Sequence, residues 1–278
     1  MIQKTLQRFG NNYRGDVMKK ILAVLFIFIS LQTAVHEPYN HRGSTALMHA
    51  CYHLDIERVT ALLATGSDVN AVDATGSTAL LYTTKAYCAD LASLIVRILL
   101  SYDANANSAD NNGNTPLIYA SFAGHLGIVK ALVAAGANPN LKNTMGLTAL
   151  MLSIHHERDE LVHALVDAGA YVDEATPEGI TALMVACAHG RYKAAHALIA
   201  RSAVTTSNCH NTTPLMYAAS NGHVDLVKIL LKTGADASAV DQSDHTAFTY
   251  AEKQTHTAIM RLLSNHSNKK YAKKHVIE

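Results

Sequence analysis

Apolar positions along the chain recur in a fixed pattern. A tripeptide of Thr, then Ala or Pro, then Leu or Phe opens each copy, and successive copies lie 33, 37, 33, 33, 32 and 33 residues apart. Each tripeptide begins a segment with apolar residues at helical spacing, and a second apolar run follows. This periodicity predicts two short helices per copy. The seven threonines are Thr45, Thr78, Thr115, Thr148, Thr181, Thr213 and Thr246.

Residues at the ends of these segments supply helix caps. A threonine side-chain oxygen accepts a hydrogen bond from the first helical turn, and a proline at the next position lacks the N–H that a helix start leaves unpaired. Gly136 and Gly234 follow the second apolar run of their copies, where helices commonly end in a left-handed conformation. One helix pair cannot cover its own apolar face. We therefore expect stacked copies to form a continuous core along an all-α solenoid.

Two copies carry the clearest resemblance to a known family. Residues 111–140 (NNGNTPLIYASFAGHLGIVKALVAAGANPN) and 211–238 (NTTPLMYAASNGHVDLVKILLKTGADAS) contain Thr-Pro-Leu, then Gly-His, then Gly-Ala-Asn or Gly-Ala-Asp. These motifs resemble the ankyrin repeat, and the resemblance covers residues 43–265. It implies an all-α ankyrin-repeat solenoid of seven helix-turn-helix units, joined by β-turns or hairpin loops. We therefore expect an ankyrin repeat domain over residues 36–265.

Some copies depart from the common pattern. The second has four extra residues between its predicted helices, around residues 85–90. Asp103 and Asp244 stand where other copies have a helix-ending or a turn glycine, and the fourth copy has Glu157 and Arg158 in place of Gly-His. We expect the array to be irregular at these places.

The resemblance also implies where a partner would bind. In ankyrin arrays the turn tips and the exposed side of each first helix form a concave surface that contacts other proteins. The matching positions lie four, three and one residues before each threonine, and seven and eight residues after it. Apolar members of such a surface mark an interaction site. The predicted partner-binding residues are Tyr52, His53, Asn112, Asn114, Phe122, Met145, Leu147, His155, His156, Ile180, His189, His210 and Asn221.

Histidine is abundant enough to need an explanation. Of the 16 histidines, His53, His156 and His189 share one position of the copy. Helices that stack about 8–10 Å apart do not bring these side chains to one ion, as a metal site requires. They are predicted to be polar contact residues, or alternatively a pH-responsive binding face. His125 and His223, in their Gly-His pairs, are expected to bridge neighbouring loops.

Cysteine does not indicate catalysis. The four cysteines show no metal-ligand spacing, and Cys51 and Cys187 fall on the predicted buried side of first helices. Nucleotide-binding loops and hydrolase motifs are absent from the sequence. We therefore predict no metal, no cofactor and no enzymatic activity.

The two ends of the chain differ from its body. From Met18 the sequence reads MKKILAVLFIFISLQTAV, in which two lysines precede an uncharged apolar run over residues 21–31. This layout is typical of a secretory signal peptide, and the run is short for a transmembrane helix. We expect residues 1–35 to direct export, which makes the protein secreted or periplasmic. An uncleaved membrane anchor and a buried N-terminal helix are the alternatives. Residues 266–278 are expected to form a basic flexible tail.

Charge narrows the class of partner. Residues 36–268 contain 14 of the 23 basic residues and 20 of the 22 acidic residues. An acidic body argues against a nucleic-acid groove, which needs clustered Lys and Arg. We predict a monomer that binds another protein through its concave face. A regulatory or inhibitory subunit of an enzyme, and a secreted effector that acts on host proteins, are the alternatives.

Overall fold

Fourteen helices, arranged as seven consecutive pairs, make up the described part of the chain. The computed structural model describes residues 43–86, 88–154, 159–201 and 206–274. Each pair begins at one of the recurring threonines, and the pairs are numbered here as repeats 1 to 7. The predicted all-α class is confirmed. In chain order the helices are α1 (Ala46–Tyr52), α2 (Ile56–Ala64), α3 (Ala79–Thr84), α4 (Ala89–Ser101), α5 (Pro116–Ala123), α6 (Leu126–Ala134), α7 (Ala149–Ser153), α8 (Asp159–Asp167), α9 (Ala182–His189), α10 (Tyr192–Ile199), α11 (Pro214–Ser220), α12 (Val224–Lys232), α13 (Ala247–Lys253) and α14 (Thr257–Lys274).

The recurring threonines cap the first helix of every repeat. Each Oγ1 accepts a hydrogen bond from the backbone N–H three residues later, at 3.2–3.4 Å. Pro116 and Pro214 occupy the first position of α5 and α11, where no N–H is needed. After α6, Gly136 has a φ of +83°, a left-handed conformation that favours glycine. The predicted caps are confirmed.

The core runs along the array between the first and second helices. α3 is buried at all six of its positions because it packs against α1, α4 and α5. Second helices bury one face only: Ile128, Val129 and Leu132 of α6 are buried, whereas Lys130 is exposed. Burying one such apolar side chain contributes about 1.5–3 kcal/mol. Each repeat therefore depends on its neighbours to cover its apolar surface.

The four extra residues of repeat 2 lengthen a helix. α4 has 13 residues, whereas α2, α6, α8 and α12 have 9 residues each. Four residues are close to one turn of 3.6, so Ile95, Val96 and Leu99 keep the buried positions. The prediction that the insertion lies between the helices is wrong. The longer helix leaves Leu91 and Leu94 exposed by 42% and 47%.

The ends of the array extend differently from the predicted boundaries. α14 continues to Lys274, so the boundary predicted at residue 265 falls inside a helix. The predicted export segment, residues 1–35, lies outside the described residues, as do His155 and His156 of the predicted binding face. Within the described ranges, no helix is long and apolar enough to cross a membrane.

Candidate protein-binding face

A short hairpin turn precedes the first helix of repeats 2 to 7. A backbone hydrogen bond closes the base of the hairpin. It runs from the N–H of the fifth residue before the capping threonine to the carbonyl of the residue directly before that threonine. In repeat 3, the Asp110 N–H donates to the Asn114 carbonyl at 3.1 Å. Three residues form the tip, and the last of them has a positive φ, as at Gly146 with +75°. The tip is therefore held at a fixed position beside the first helix.

Backbone hydrogen bonds also join the tips of neighbouring repeats. The donor is the N–H of the fourth residue before the capping threonine. The acceptor lies in the preceding repeat and is the carbonyl of the third residue before that repeat's threonine. Such bonds align successive tips into one surface. The pairs are Asn111 with Thr75 at 2.8 Å, Thr144 with Asn112 at 2.9 Å, Cys209 with Glu178 at 3.0 Å, and Gln242 with His210 at 3.1 Å.

Repeat 5 interrupts this series of tip bonds. Pro177 stands four residues before Thr181, and proline has no N–H to donate. The proline ring lies close to the tip of repeat 4. A Cβ placed on Gly146 would be only 2.5 Å from Pro177 Cδ. Two predicted binding residues, Met145 and Ile180, belong to the two hairpins that meet at this interruption.

Buried polar side chains support the tips from behind. Asp110 Oδ1 accepts from the N–H groups of Asn112 and Asn114 at 3.0 and 2.9 Å, and Oδ2 accepts from the Tyr119 hydroxyl at 2.6 Å. Burial and the nearby Asp110 charge raise the pKa of Tyr119, which keeps the phenol protonated as a donor. Asn143 Nδ2 donates to Asn114 Oδ1 at 3.0 Å and so joins repeat 4 to repeat 3.

Most of the predicted partner-binding residues that the structure describes are accessible. Tyr52 is 38% exposed, and its ring meets those of His53 and Tyr82 edge-on, with centroids 5.2 and 6.3 Å apart. His53 is exposed at the end of α1, and Asn112 is exposed at the tip of repeat 3. The half-buried members are Phe122, Met145, Ile180, His189, His210 and Asn221.

Two predicted binding residues are buried, so the expectation that they contact a partner is wrong. Asn114 is only 2% exposed and Leu147 only 4%. Both stand at the base of a hairpin: the Leu147 carbonyl accepts from the Asn143 N–H, and its N–H donates to Asn143 Oδ1. These bonds pin the backbone and turn the side chain into the array. Asn114 instead belongs to the buried hydrogen-bond network behind the tips, where it donates to the Tyr119 hydroxyl at 3.3 Å.

Lys85 is a face residue that the sequence did not single out. It ends α3, seven residues after Thr78, and its side chain is only 15% exposed. Its ammonium lies 3.8 Å from the Asp110 carboxylate and 4.5 Å from the centre of the Tyr119 ring. The positional rule for the face includes Lys85, but the irregular spacing of repeat 2 obscures it.

Histidines that follow first helices join neighbouring repeats, as predicted for His125 and His223. Their Nε2 atoms lie 3.3 Å from the Ala86 carbonyl and 3.4 Å from the Ala188 carbonyl, respectively. The His223 ring also covers Gly190: a Cβ added to this glycine would lie 2.6 Å from the ring. Gly190 thus leaves the space that the histidine occupies.

The histidines between repeats 5 and 6 favour the neutral form. Burial lowers the pKa of His189, and the positive charge of Arg191 adds to this effect. Burial also lowers the pKa of His223. Both imidazoles therefore act as uncharged polar groups near neutral pH.

The cysteines divide into buried and exposed pairs. Cys51 and Cys187 are buried, which confirms that they fill the core. Burial raises the pKa of Cys51 to about 12 and also raises that of Cys187, so neither is a ready nucleophile. Cys88 and Cys209 are exposed. Across the described ranges, no group of three His, Cys, Asp or Glu side chains is placed to hold a metal ion.

Comparison with known proteins identifies the family. The family model for ankyrin repeats matches in three copies, over residues 47–143, 127–208 and 202–274. The chain belongs to the ankyrin repeat family. Ankyrin repeats imply a protein–protein interaction module, so this coarse function, like the resemblance drawn from the motifs, is confirmed.

Relatives and solved structures match the ankyrin array to different extents. Ankyrin repeat protein nuc-2 of Neurospora crassa is 42% identical over 60 residues, and Protein HOS4 of Saccharomyces cerevisiae is 38% identical over 74 residues. The matches cover 22% and 25% of this chain but only 6% and 7% of those proteins. The crystal structure of the ankyrin repeat domain of Bcl-3, a unique member of the IkappaB protein family, matches with a TM-score of 0.66 at 22% identity. It covers 79% of this chain and 99% of that domain, and the likeness shows a shared fold.

Proposed function

We propose that this protein binds a partner protein through the concave face of its ankyrin array and has no catalytic activity of its own. One observation carries the proposal: Phe122 at a first-helix end, Met145 at a hairpin tip and Ile180 at a hairpin base are apolar and only half-buried. Covering such side chains removes apolar surface from water, which is the main driving force of protein association.

The centre of the proposed site lies on repeats 3 to 5. Phe122 ends the first helix of repeat 3, Met145 is on the tip of repeat 4, and Ile180 directly precedes the first helix of repeat 5. Polar groups surround this apolar centre, including exposed Asn112 and half-buried His189. An apolar centre with a polar rim is the usual layout of a protein interface.

Affinity capture with the full chain tests this proposal. We compare the wild type with Phe122→Ser/Met145→Ser/Ile180→Ser and with a matched control, Leu91→Ser/Leu94→Ser/Tyr171→Ser, which removes three exposed apolar side chains elsewhere. Circular dichroism establishes that all three forms are equally helical. We expect the face variant to lose the partner and the control to keep it. Equal capture by all three forms would overturn the proposal.

The activity of a captured partner enzyme distinguishes a scaffold from an inhibitor. A one-to-one complex in which a partner enzyme loses its activity indicates a regulatory subunit. A complex in which the partner's activity is unchanged indicates a scaffold.

We further propose that the protein is exported. The support is the sequence layout from Met18, with two lysines before an uncharged apolar run. We expect N-terminal sequencing of the mature protein to find a new terminus near residue 35. Recovery of the chain from the cytosol with Met1 or Met18 intact would refute export and would leave the proposed binding face untouched.

A further inference from the structure

A row of basic side chains follows the outer surface of the array, away from the proposed binding face. Six of the seven second helices place Arg, Lys or His at the same structural position, fifteen residues after the capping threonine, or nineteen in repeat 2 because of the longer α4. In repeat 1 this position is Thr60. All six side chains are exposed. The members of this outer row are Arg97, Lys130, His163, His196, Lys228 and Arg261.

The members of the outer row are regularly spaced, and they differ in whether they form ion pairs. Helices packed side by side lie about 8–10 Å apart, so consecutive members of the row are separated by about this distance. Lys228 pairs with Asp225 at 2.9 Å. None of the ion pairs between described residues includes Arg97, Lys130 or Arg261.

A groove lies on the row between repeats 5 and 6. It has a volume of about 410 Å³ and separates α10 from α12. Two members of the outer row line it, together with a further lysine, one carboxylate and two side chains that offer apolar surface. Its lining residues are Tyr192, His196, Asp225, Lys228, Ile229 and Lys232.

We infer that the outer row binds an extended polypeptide segment that carries an acidic side chain at every third residue. An extended chain advances about 3.3 Å per residue, so every third residue advances by about 10 Å and matches the spacing of the row. Each row member donates hydrogen bonds to a carboxylate, and pairs in which both groups are charged are the stronger ones. The groove beside His196 accommodates the side chains between two acidic residues.

The surroundings of the row favour a polypeptide over a denser polyanion. Glu160, Asp167 and Asp225 flank the row on α8 and α12. A nucleic acid has a phosphate at every nucleotide and needs clustered cations, whereas these carboxylates would repel such closely spaced charges. An acidic side chain at every third position places far fewer negative charges near these acids, and among the described ion pairs it competes only with that of Lys228 and Asp225.

Fluorescence anisotropy with the full chain tests this inference. The probe is a labelled peptide of six Glu-Thr-Thr units, whose β-branched residues favour extended backbone. We compare the wild type with Arg97→Gln/Lys130→Gln/Arg261→Gln, which removes the three row cations that form no ion pair with another described residue. The matched control, Lys142→Gln/Lys193→Gln/Arg201→Gln, has the same net charge but removes cations that already pair with Glu174, Asp159 and Asp167.

We expect the row variant to raise the Kd of the peptide about tenfold and the control to change it by less than about twofold, because charge pairs at fixed geometry couple specifically. A peptide of the same composition with its six Glu residues in one block should bind more weakly than the spaced peptide. The variant Phe122→Ser/Met145→Ser/Ile180→Ser should bind the spaced peptide as the wild type does, which separates this surface from the concave face.

Three results would overturn the inference. One is equal weakening by the two charge variants, and another is equal affinity for the spaced and block peptides. The third is tighter binding of an 18-nucleotide single strand, or of phosphatidylserine vesicles, than of the spaced peptide under the same ionic strength.

Discussion

The tips of repeats 3 and 4 are joined by hydrogen bonds that the tips of repeats 4 and 5 lack, although the two junctions are neighbours in one array. At the first junction, the Thr144 N–H bonds to the preceding tip and Asn143 reaches Asn114. At the second, Pro177 has no N–H, and Thr176 accepts only from its own turn, from the Ile180 N–H at 3.2 Å. The first helices α7 and α9 also pack less extensively than other neighbouring first helices, partly because α7 has only 5 residues.

This difference separates two roles of the sequence. Apolar side chains at helical spacing are present at both junctions and make the array, whereas the coupling between repeats varies with a few polar positions. The stability of a repeat array is close to a sum of intrinsic repeat terms and interface terms. Across the junction of repeats 4 and 5, Lys193 pairs with Asp159 and Arg201 pairs with Asp167, but exposed ion pairs contribute little to stability. We therefore expect the array to unfold as two cooperative blocks, repeats 1 to 4 and repeats 5 to 7.

The largest expected effect comes from truncating the core on either side of the weak junction. Leu132 in repeat 3 and Leu198 in repeat 5 are both fully buried, so replacing either with Ala should destabilise by about 2–5 kcal/mol. Hydrogen exchange followed by mass spectrometry should show lost protection in repeats 1 to 4 for Leu132→Ala and in repeats 5 to 7 for Leu198→Ala. Uniform loss across the whole array would contradict the two-block description.

A smaller difference is expected between the two residues that stand five positions before the capping threonines. Asn143→Ala removes two bonds to its own turn, from the N–H groups of Met145 and Leu147, and also the bond to Asn114. It should cost about 1–3 kcal/mol, whereas Thr176→Ala, which removes one turn bond, should cost about 0.5–1.5 kcal/mol. Urea unfolding measures both changes, and equal losses would show that the bond between repeats adds nothing.

Exchanging the residues at positions 144 and 177 should remove the tip hydrogen bond between repeats 3 and 4 and allow one between repeats 4 and 5. Thr144→Pro removes the tip bond between repeats 3 and 4 and should cost about 0.5–1.5 kcal/mol. Pro177→Thr supplies the missing N–H, but it also makes the unfolded chain more flexible, so its net effect should stay within about 0.5 kcal/mol. The new amide at residue 177 should nevertheless exchange slowly in NMR spectra. Fast exchange there would mean that no tip bond forms.

Acidification should distinguish the two blocks with the smallest change in stability. Since the pKa values of His189 and His223 are lowered in the folded protein, the unfolded state binds protons first as the pH falls below about 6.5. Their contribution to stability is complete above that pH and is lost progressively below it. Urea unfolding from pH 7.5 to 5.5 should show this loss in repeats 5 to 7, and His189→Gln/His223→Gln should reduce it. An unchanged pH dependence in that variant would exclude the two histidines as its source.

Much of the fold follows from local sequence signals. The threonine caps, the left-handed Gly136 and the buried side of α6 were all predictable because each depends on residues within one or two helical turns. Buried Cys51 and Cys187 follow from the same periodicity. The extra turn of α4 did not, because four added residues are compatible with either a longer loop or a longer helix.

The candidate site was only partly predictable. Positional rules find exposed Tyr52 and Asn112, yet the same rules include buried Asn114 and Leu147 because they treat the base of the hairpin as part of its tip. Lys85 was overlooked because the irregular spacing of repeat 2 obscures its position on the face, and its contact with Asp110 belongs to the next repeat.

By itself, the sequence determined the period of the array, the helix pairs, their caps and the apolar face of each helix, since these depend on neighbours in the chain. Only the tertiary structure decided which hairpin residues face inward, which hydrogen bonds join adjacent repeats, and that Pro177 interrupts the series of tip bonds beside Met145. These features depend on hydrogen bonds and packing between residues about one repeat apart, and such contacts form only when the repeats stack.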